Sequence, residues 1–195
     1  MAKRLEGKKI VLMVANEFED IELWYPALRM SEEGAQVTIV PVEKGLHPRP
    51  ALPQKYVTGR FGTTVPPLVH KLGKRFSIAK IDEISVQNID ALIIPGGFSP
   101  DALRVDERCL NLVRDLHNQG KIVAAICHGP QVLISAGLVR GRKLTSYAAV
   151  KDDLINAGAK FVDEPVVVDD NIITSRVPDD LPEFCLSIIE KLAGK

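Results

Sequence analysis

Residues Lys121–Gly137 read K-I-V-A-A-I-C-H-G-P-Q-V-L-I-S-A-G and combine an apolar run, a polar turn and a second apolar stretch. The run Ile122–Ile126 is typical of a strand that is buried on both faces of a parallel sheet. Pro130 suits the first turn of a helix, and Gly137 suits the position just after its end. Cys127 therefore falls in a sharp strand-to-helix turn, the geometry of a nucleophile elbow with cysteine in place of serine.

This position distinguishes Cys127 from an ordinary buried cysteine. Most free cysteines are small core residues, and we interpret Cys109 and Cys185 in this way because both lie in apolar helical stretches. Open α/β sheets, however, bind ligands at the carboxyl ends of their strands. A helix N-terminus at that edge stabilises a thiolate through its unpaired N–H groups and partial positive charge. We therefore predict that Cys127 is a nucleophile.

The rest of the chain alternates strands with helices. Buried strands are expected at Lys8–Val14, Gln36–Val42 and Ala91–Ile94, and a hairpin is expected at Val166–Asp169 and Ile172–Ser175. This order predicts one domain over residues 1–195 with a flavodoxin-like, doubly wound α/β/α sandwich, a mainly parallel sheet and a cysteine nucleophile elbow.

Helices and one long irregular segment complete the predicted order. The helices are expected at Ile21–Glu33, Pro100–Asn118, Val150–Ala157 and Pro182–Leu192, and a short strand is expected at Lys143–Tyr147. Pro26 predicts a late start or a kink in the first helix. The segment Leu46–Ser77 is rich in proline and glycine, which predicts an irregular surface excursion with a possible hairpin at Val57–Val65.

The composition excludes several classes of protein. The 195 residues include 25 Lys and Arg and 25 Asp and Glu, so the formal net charge is zero, and neither nucleic acid nor a membrane surface is expected as a partner. Three cysteines without a C-x-x-C pattern fit a reducing compartment. No apolar run is long enough for a signal peptide or a membrane span, so a cytoplasmic protein is expected. A net charge near zero also permits a homo-oligomer.

Two glycine-containing turns provide the predicted oxyanion site. Gly96 and Gly97 follow the strand Ala91–Ile94, where glycines let the backbone approach a ligand and direct N–H groups toward it. We predict that the N–H groups of Gly97 and His128 hold the oxyanion, with Gly96 and Gly129 beside them.

The acidic residues after the first strand lie at the same edge of the predicted sheet. We expect Asp20 to cap the following helix and to complement its dipole. Glu19 is the candidate to point into the site, where its carboxylate would help to form the Cys127 thiolate.

The positions of the histidines exclude two kinds of catalytic triad. The histidines are His47, His70, His117 and His128, so the chain lacks the later histidine of glutamine amidotransferases and papain-like proteases. We expect His47 and His70 to lie on the surface. His128 is adjacent to the nucleophile, and Asp101 is a candidate to orient it from the same chain or a neighbouring subunit. No motif for a metal or a nucleotide is present, so no cofactor is expected.

These motifs resemble the family of PfpI-type intracellular proteases and glyoxalases III, whose superfamily includes the parkinsonism-associated protein and the class I glutamine amidotransferases. The resemblance rests on A-N-E-F-E-D-I-E-L at Ala15–Leu23, P-G-G at Pro95–Gly97, A-I-C-H-G-P at Ala125–Pro130, L-I-S-A-G-L-V-R-G-R at Leu133–Arg142, T-S-Y at Thr145–Tyr147 and K-D-D-L-I-N-A-G-A at Lys151–Ala159. Together these segments extend in order over nearly the whole chain.

The resemblance implies a role for each site residue. The nucleophile of the family corresponds to Cys127 and its neighbouring histidine to His128, while the glutamate that hydrogen-bonds the cysteine corresponds to Glu19. Asp101 corresponds to a glutamate that completes the triad across a subunit interface. Aspartate keeps the negative charge of that glutamate, but its side chain has a shorter reach. Tyr147 corresponds to a tyrosine that lines the pocket. The family also implies a homo-oligomer, as a dimer or a hexamer.

The resemblance further implies the chemistry. Relatives act as peptidases, as cofactor-free glyoxalases that make lactate from methylglyoxal, or as deglycases of early glycation adducts, all through attack of a thiolate on a carbonyl. The expected function is a cofactor-independent cysteine hydrolase for small carbonyl or peptide substrates. The alternative is a redox-sensing stress protein or chaperone that uses the same cysteine without turnover.

Overall fold

A computed structural model of the protein describes residues 3–43 and 55–194. The strands are β1 (Lys9–Val14), β2 (Gln36–Pro41), β3 (Val57–Thr58), β4 (Thr64–Val65), β5 (Phe76–Ile78), β6 (Ala91–Ile94), β7 (Ile122–Ile126), β8 (Lys143–Leu144), β9 (Lys160–Phe161), β10 (Val166–Asp169) and β11 (Ile172–Ser175). The helices are α1 (Asp20–Glu32), α2 (Pro67–Lys71), α3 (Ser99–Leu103), α4 (Glu107–Asn118), α5 (Pro130–Ser135), α6 (Lys151–Asn156) and α7 (Leu181–Ala193).

The main sheet has seven strands within the described residues, in the order β10-β11-β7-β6-β1-β2-β5. Every neighbouring pair is parallel except β10 and β11, which form an antiparallel hairpin. The chain runs outward from β1 through β2 to β5, returns to β6 on the other side of β1, and continues outward. This reversal of direction between β1 and β6 confirms the predicted doubly wound, mainly parallel fold.

Side chains that alternate along the strands form a core on each face of the sheet. In β1, Ile10 and Leu12 belong to the core beneath α1 and α7, whereas Val11 and Met13 belong to the core beneath α3 to α6. Consecutive residues of a strand point to opposite faces, so a continuous apolar run is required when helices cover both faces. Cys109 and Cys185 are fully buried in these cores, as predicted.

Several boundaries differ from the sequence prediction. Helix α1 begins at Asp20 and contains Pro26, so the predicted late start was wrong. The predicted helix Pro100–Asn118 is two helices, because the chain turns after α3 and Asp106 caps α4 by accepting a hydrogen bond from the backbone N–H of Arg108. The short strand predicted at Lys143–Tyr147 ends at Leu144 and pairs with β9 instead of joining the main sheet.

The predicted excursion Leu46–Ser77 is more regular than expected from its proline and glycine content. Strands β3 and β4 form the hairpin expected at Val57–Val65, and helix α2 follows them. Strand β5 then adds to the edge of the main sheet beside β2. The first residues of the excursion, including His47, lie outside the described residues, whereas His70 is exposed on α2, as predicted. None of the helices in the described part of the chain is long and apolar enough to cross a membrane.

Candidate active site

The candidate site lies at the carboxyl ends of β1, β6 and β7, next to the reversal of strand order. The β1 strand leads into Glu19 and α1, β6 leads into Gly96 and Gly97, and β7 leads into Cys127. These strands are adjacent in the sheet, so residues that are distant in the sequence meet at one edge. Ligands of open α/β sheets bind at such a crevice.

The backbone of Cys127 has the strained conformation of a nucleophile elbow. Its φ of 60° lies in the left-handed region, which non-glycine residues seldom adopt. The N–H of Cys127 donates to the carbonyl of Ser175 at 3.1 Å, and the carbonyl of Cys127 accepts from the N–H of Tyr147 at 3.0 Å. A side chain at Gly129 would bring its Cβ within 2.5 Å of the carbonyl oxygen of Ile94, so this turn requires glycine. The predicted elbow is therefore present.

Two backbone N–H groups are directed at the Cys127 sulfur. They belong to Gly97 and His128, the predicted oxyanion donors, and each lowers the pKa of the thiol. Gly97 has a φ of 71°, and a Cβ there would lie 2.3 Å from the carbonyl oxygen of Glu17. A Cβ at Gly96 would lie 2.8 Å from Cβ of Cys127. Both glycines are thus needed for the loop to approach the nucleophile.

The carboxyl group beside the thiol belongs to Glu22 instead of Glu19. Oε2 of Glu22 accepts a hydrogen bond of 2.7 Å from the N–H of Gly96, and the carboxyl interacts with the thiol of Cys127. The side chain of Glu22 is fully buried, and this burial raises its pKa to about 7. Burial and the nearby Glu22 carboxylate raise the pKa of the Cys127 thiol.

Glu19 and Asp20 make other contacts. Oε2 of Glu19 lies 3.4 Å from Nη1 of Arg60, so the contact with the thiol that we predicted for Glu19 was wrong. Asp20 accepts hydrogen bonds from the backbone N–H groups of Phe61 at 2.8 Å and Thr63 at 3.0 Å. It therefore holds the turn between β3 and β4, in addition to its position in the first turn of α1.

Position along α1 explains why Glu22 replaces Glu19. Glu19 is the N-cap of α1 and precedes its first turn, whereas Glu22 lies within that turn. Side chains of a helix tilt toward its N-terminus, so the Glu22 side chain points back toward the carboxyl end of the sheet, where its carboxyl reaches Gly96. The sequence signal for Glu22 was an acidic residue in the first turn of a helix that follows a buried strand.

His128 lies between the thiol and two other predicted residues. Its Nδ1 is 3.3 Å from Sγ of Cys127, and its ring centroid is 5.1 Å from that of Tyr147. Burial lowers the pKa of His128, the carboxylate of Asp101 raises it, and Arg60 lowers it. Asp101 is thus near His128 in the same chain, although no hydrogen bond joins the two within the described residues. Tyr147 is half-exposed and lies beside His128, and its role in lining the pocket stays a prediction.

No group of three or more His, Cys, Asp and Glu side chains is placed to hold a metal ion in the described ranges of the chain. The site brings together a buried thiol, a carboxyl group whose pKa lies near neutrality, a histidine and two N–H donors. These are the groups needed for nucleophilic attack on a carbonyl and for transfer of the protons that follow.

Comparison with known proteins gives consistent matches. The sequence pattern of the DJ-1/PfpI family matches residues 8–191. A deglycase of Pyrococcus horikoshii is 45% identical over 94% of this chain and 99% of its own. The Bacillus subtilis protein YraA, whose name assigns it provisionally to the cysteine proteases, is 43% identical over 91% of this chain and 94% of its own. The crystal structure of Drosophila melanogaster DJ-1beta superposes with a TM-score of 0.80 and 28% identity, and covers 100% of this chain and 92% of that chain.

Proposed function

We propose, from the premise that this chain belongs to the DJ-1/PfpI family and is a PfpI-type enzyme, that it is a cofactor-independent deglycase and glyoxalase. Cys127 is its nucleophile and Glu22 its acid and base. The observation that carries this proposal is the buried Glu22 carboxyl, with a pKa of about 7, against the Cys127 thiol. A group that titrates near neutrality can both accept and donate a proton during one catalytic cycle.

The first step forms a bond between the sulfur and the aldehyde carbon of a ketoaldehyde. Glu22 accepts the thiol proton as the C–S bond forms, and the carbonyl oxygen takes up the electron pair of the broken π bond. We assign the stabilisation of this oxygen to the N–H groups of Gly97 and His128, an assignment supported by their direction toward the sulfur. When the aldehyde is carried on an amine, the C–N bond breaks instead, and the amine leaves with the proton from Glu22.

The second step moves hydrogen between two carbons. For a free aldehyde, Glu22 first returns the thiol proton to the former aldehyde oxygen, which gives a bound hemithioacetal. Glu22 then removes the proton on the sulfur-bearing carbon and delivers it to the neighbouring carbon, while the hydroxyl proton passes to the former ketone oxygen. This isomerisation yields the thioester of a 2-hydroxy acid without any change in the overall oxidation state. Water then cleaves the thioester, which releases the acid and restores the thiol.

The geometry supports this chemistry better than peptide hydrolysis. Burial lowers the pKa of His128, and in the part of the chain that the structure describes, Asp101 acts on the ring through its charge and not through a hydrogen bond. A peptidase needs an oriented histidine to protonate the leaving amine. The sequence identity to YraA makes peptidase activity the second candidate, to be assayed in parallel.

The deciding experiment compares the wild type with Cys127→Ala in the formation of lactate from methylglyoxal and in the cleavage of a fluorogenic peptide. We expect loss of lactate formation in Cys127→Ala. Cys185→Ala is the matched control, because Cys185 is a core residue of α7 and, within the described part of the chain, its thiol interacts with none of the titratable groups of the site. Cleavage of the peptide alone would favour a peptidase. Turnover of neither substrate, with peroxide oxidation confined to Cys127, would favour the redox sensor.

The homo-oligomer implied by the family resemblance stays a prediction. The zero formal net charge is compatible with self-association. Sedimentation equilibrium of the wild type tests this prediction, and a monomer at micromolar concentration would contradict it.

A further inference from the structure

Arg60 is a cation at the mouth of the site that the proposed reaction does not use. Its guanidinium carbon lies 5.3 Å from the ring centroid of Phe98, the residue after the oxyanion donor Gly97. Its charge lowers the pKa of Glu22 and also that of His128. Arg60 therefore acts on the acid-base groups on both sides of the Cys127 thiol.

The turn that carries Arg60 is held firmly against the site. The N–H of Arg60 donates to the carbonyl of Phe18 at 2.9 Å, and the N–H of Glu17 donates to the carbonyl of Thr58 at 2.7 Å. Asp20 binds the next residues of the turn, and a Cβ at Gly59 would lie 2.4 Å from its Oδ2. The backbone at Arg60 is thus fixed before a ligand arrives, which reduces the entropic cost of binding.

The guanidinium of Arg60 has capacity for another anion. Its side chain is 42% exposed and contacts Glu19 through one nitrogen at 3.4 Å, a long distance for a charged hydrogen bond. A guanidinium offers five N–H donors in a planar fork that matches a carboxylate. Phe98, which is 46% exposed, provides an apolar surface beside it. The position next to Glu19 shows that a carboxylate can reach this guanidinium.

We propose that Arg60 is a specificity-determining residue that binds the free carboxylate of the substrate. This proposal rests on the proposed function and narrows its range of substrates. Arg60 would favour ketoaldehyde adducts of amino acids and peptides in which a free carboxylate lies close to the adduct. The carboxylate joins or replaces Glu19 at the guanidinium while the reacting carbon reaches Cys127. Neutral adducts of the same size lack this contact.

A binding experiment tests the proposal without any turnover. Calorimetry compares N-acetylalanine with N-acetylalaninamide, two unreactive ligands that differ in the carboxylate, on the wild type, Arg60→Gln, Arg60→Lys and the control Arg75→Gln. Arg75 is an exposed arginine before β5 and carries the same charge. We expect about tenfold tighter binding of the acid by the wild type and by Arg75→Gln, no preference in Arg60→Gln, and a reduced preference in Arg60→Lys.

A turnover experiment distinguishes the proposal from the proposed function. The substrates are the methylglyoxal hemithioacetals of N-acetylcysteine and of its amide. Arg60→Gln changes the charge near Glu22 and His128 for both substrates, so the expected result is a loss of kcat/KM that is about tenfold larger for the acid than for the amide. Equal binding of acid and amide by the wild type, or a preference that persists in Arg60→Gln, overturns the role of Arg60. A binding preference that depends on Arg60, without turnover of either hemithioacetal, supports that role and overturns the deglycase function.

Discussion

Oε2 of Glu22 lies 2.7 Å from the backbone nitrogen of Gly96. This hydrogen bond joins the first turn of α1 to the loop after β6, and it fixes the carboxyl group beside Cys127. Gly96 has no Cβ, and one would lie 2.9 Å from the same oxygen. The strand order thus brings together an acid and a nucleophile that are more than a hundred positions apart in the sequence.

We expect Glu22→Gln to lower kcat for methylglyoxal about 10²- to 10⁴-fold, the range for loss of a general acid and base. The glutamine side chain keeps an oxygen that can accept the hydrogen bond from the N–H of Gly96, but the amide cannot take up and release the catalytic proton. Glu19→Gln is the matched control and should change kcat for this uncharged substrate less than about threefold, because Glu19 contacts Arg60 instead of the thiol. Steady-state kinetics on both variants provide the measurement. The opposite ranking would restore Glu19 as the catalytic carboxylate.

Glu22 should also determine how stability depends on pH. Burial raises its pKa from 4.5 to about 7 in the native state, so the native protein binds more protons than the unfolded chain between these pH values. The free energy of unfolding should therefore fall as the pH rises through this interval, by about 3 kcal/mol at most. Glu22→Gln should remove the fall and leave the variant more stable than the wild type above pH 7.

Urea denaturation from about pH 5 to about pH 8 measures this effect through the linkage of folding to proton binding. Glu32→Gln is the control, because Glu32 belongs to the same helix but its side chain is 73% exposed. Parallel stability curves for the wild type and Glu22→Gln would show that the buried carboxyl keeps an ordinary pKa.

Gly97 and Gly120 allow a test of the close approach at the oxyanion loop. Their φ angles are 71° and 69°, so alanine is strained at both positions by about 1–2 kcal/mol. A Cβ at Gly97 would also lie 2.3 Å from the carbonyl oxygen of Glu17, whereas a Cβ at Gly120 meets nothing within 4 Å. Thermal and urea unfolding should show a loss of about 3 kcal/mol or more for Gly97→Ala, well above that for Gly120→Ala. Equal losses would mean that the loop moves freely away from Glu17.

The strands of the main sheet could largely be predicted from the sequence. β6, β7, β10 and β11 were expected within their observed bounds because their apolar runs and flanking turns are local signals. β5 was missed because its three residues, Phe76–Ile78, are too short to show a period. Its place at the sheet edge depends on pairing with β2, which is a tertiary interaction.

The site was predictable where local geometry determines it. Cys127 and Gly97 were identified because strand ends and glycine turns define the elbow and the N–H donors. The acidic residues considered at the start of α1 were Glu19 and Asp20, and Glu22 was missed because its approach to the nucleophile depends on how this helix packs beside the loop after β6. Arg60 gave no signal, because its approach to the site depends on Asp20 holding a distant turn.

Substitutions of Asp101 and Arg60 should move the pKa of His128 in opposite directions. Burial lowers this pKa, Asp101 raises it and Arg60 lowers it, all within one chain. We therefore expect Asp101→Asn to lower the pKa of His128 further and Arg60→Gln to raise it, as measured by NMR titration of the imidazole in each variant. Because the two variants have opposite expected signs, a general loosening of the site cannot produce both results. An Asp101→Asn variant with an unchanged His128 titration would contradict the action of Asp101 within its own chain, and would support its action across a subunit interface.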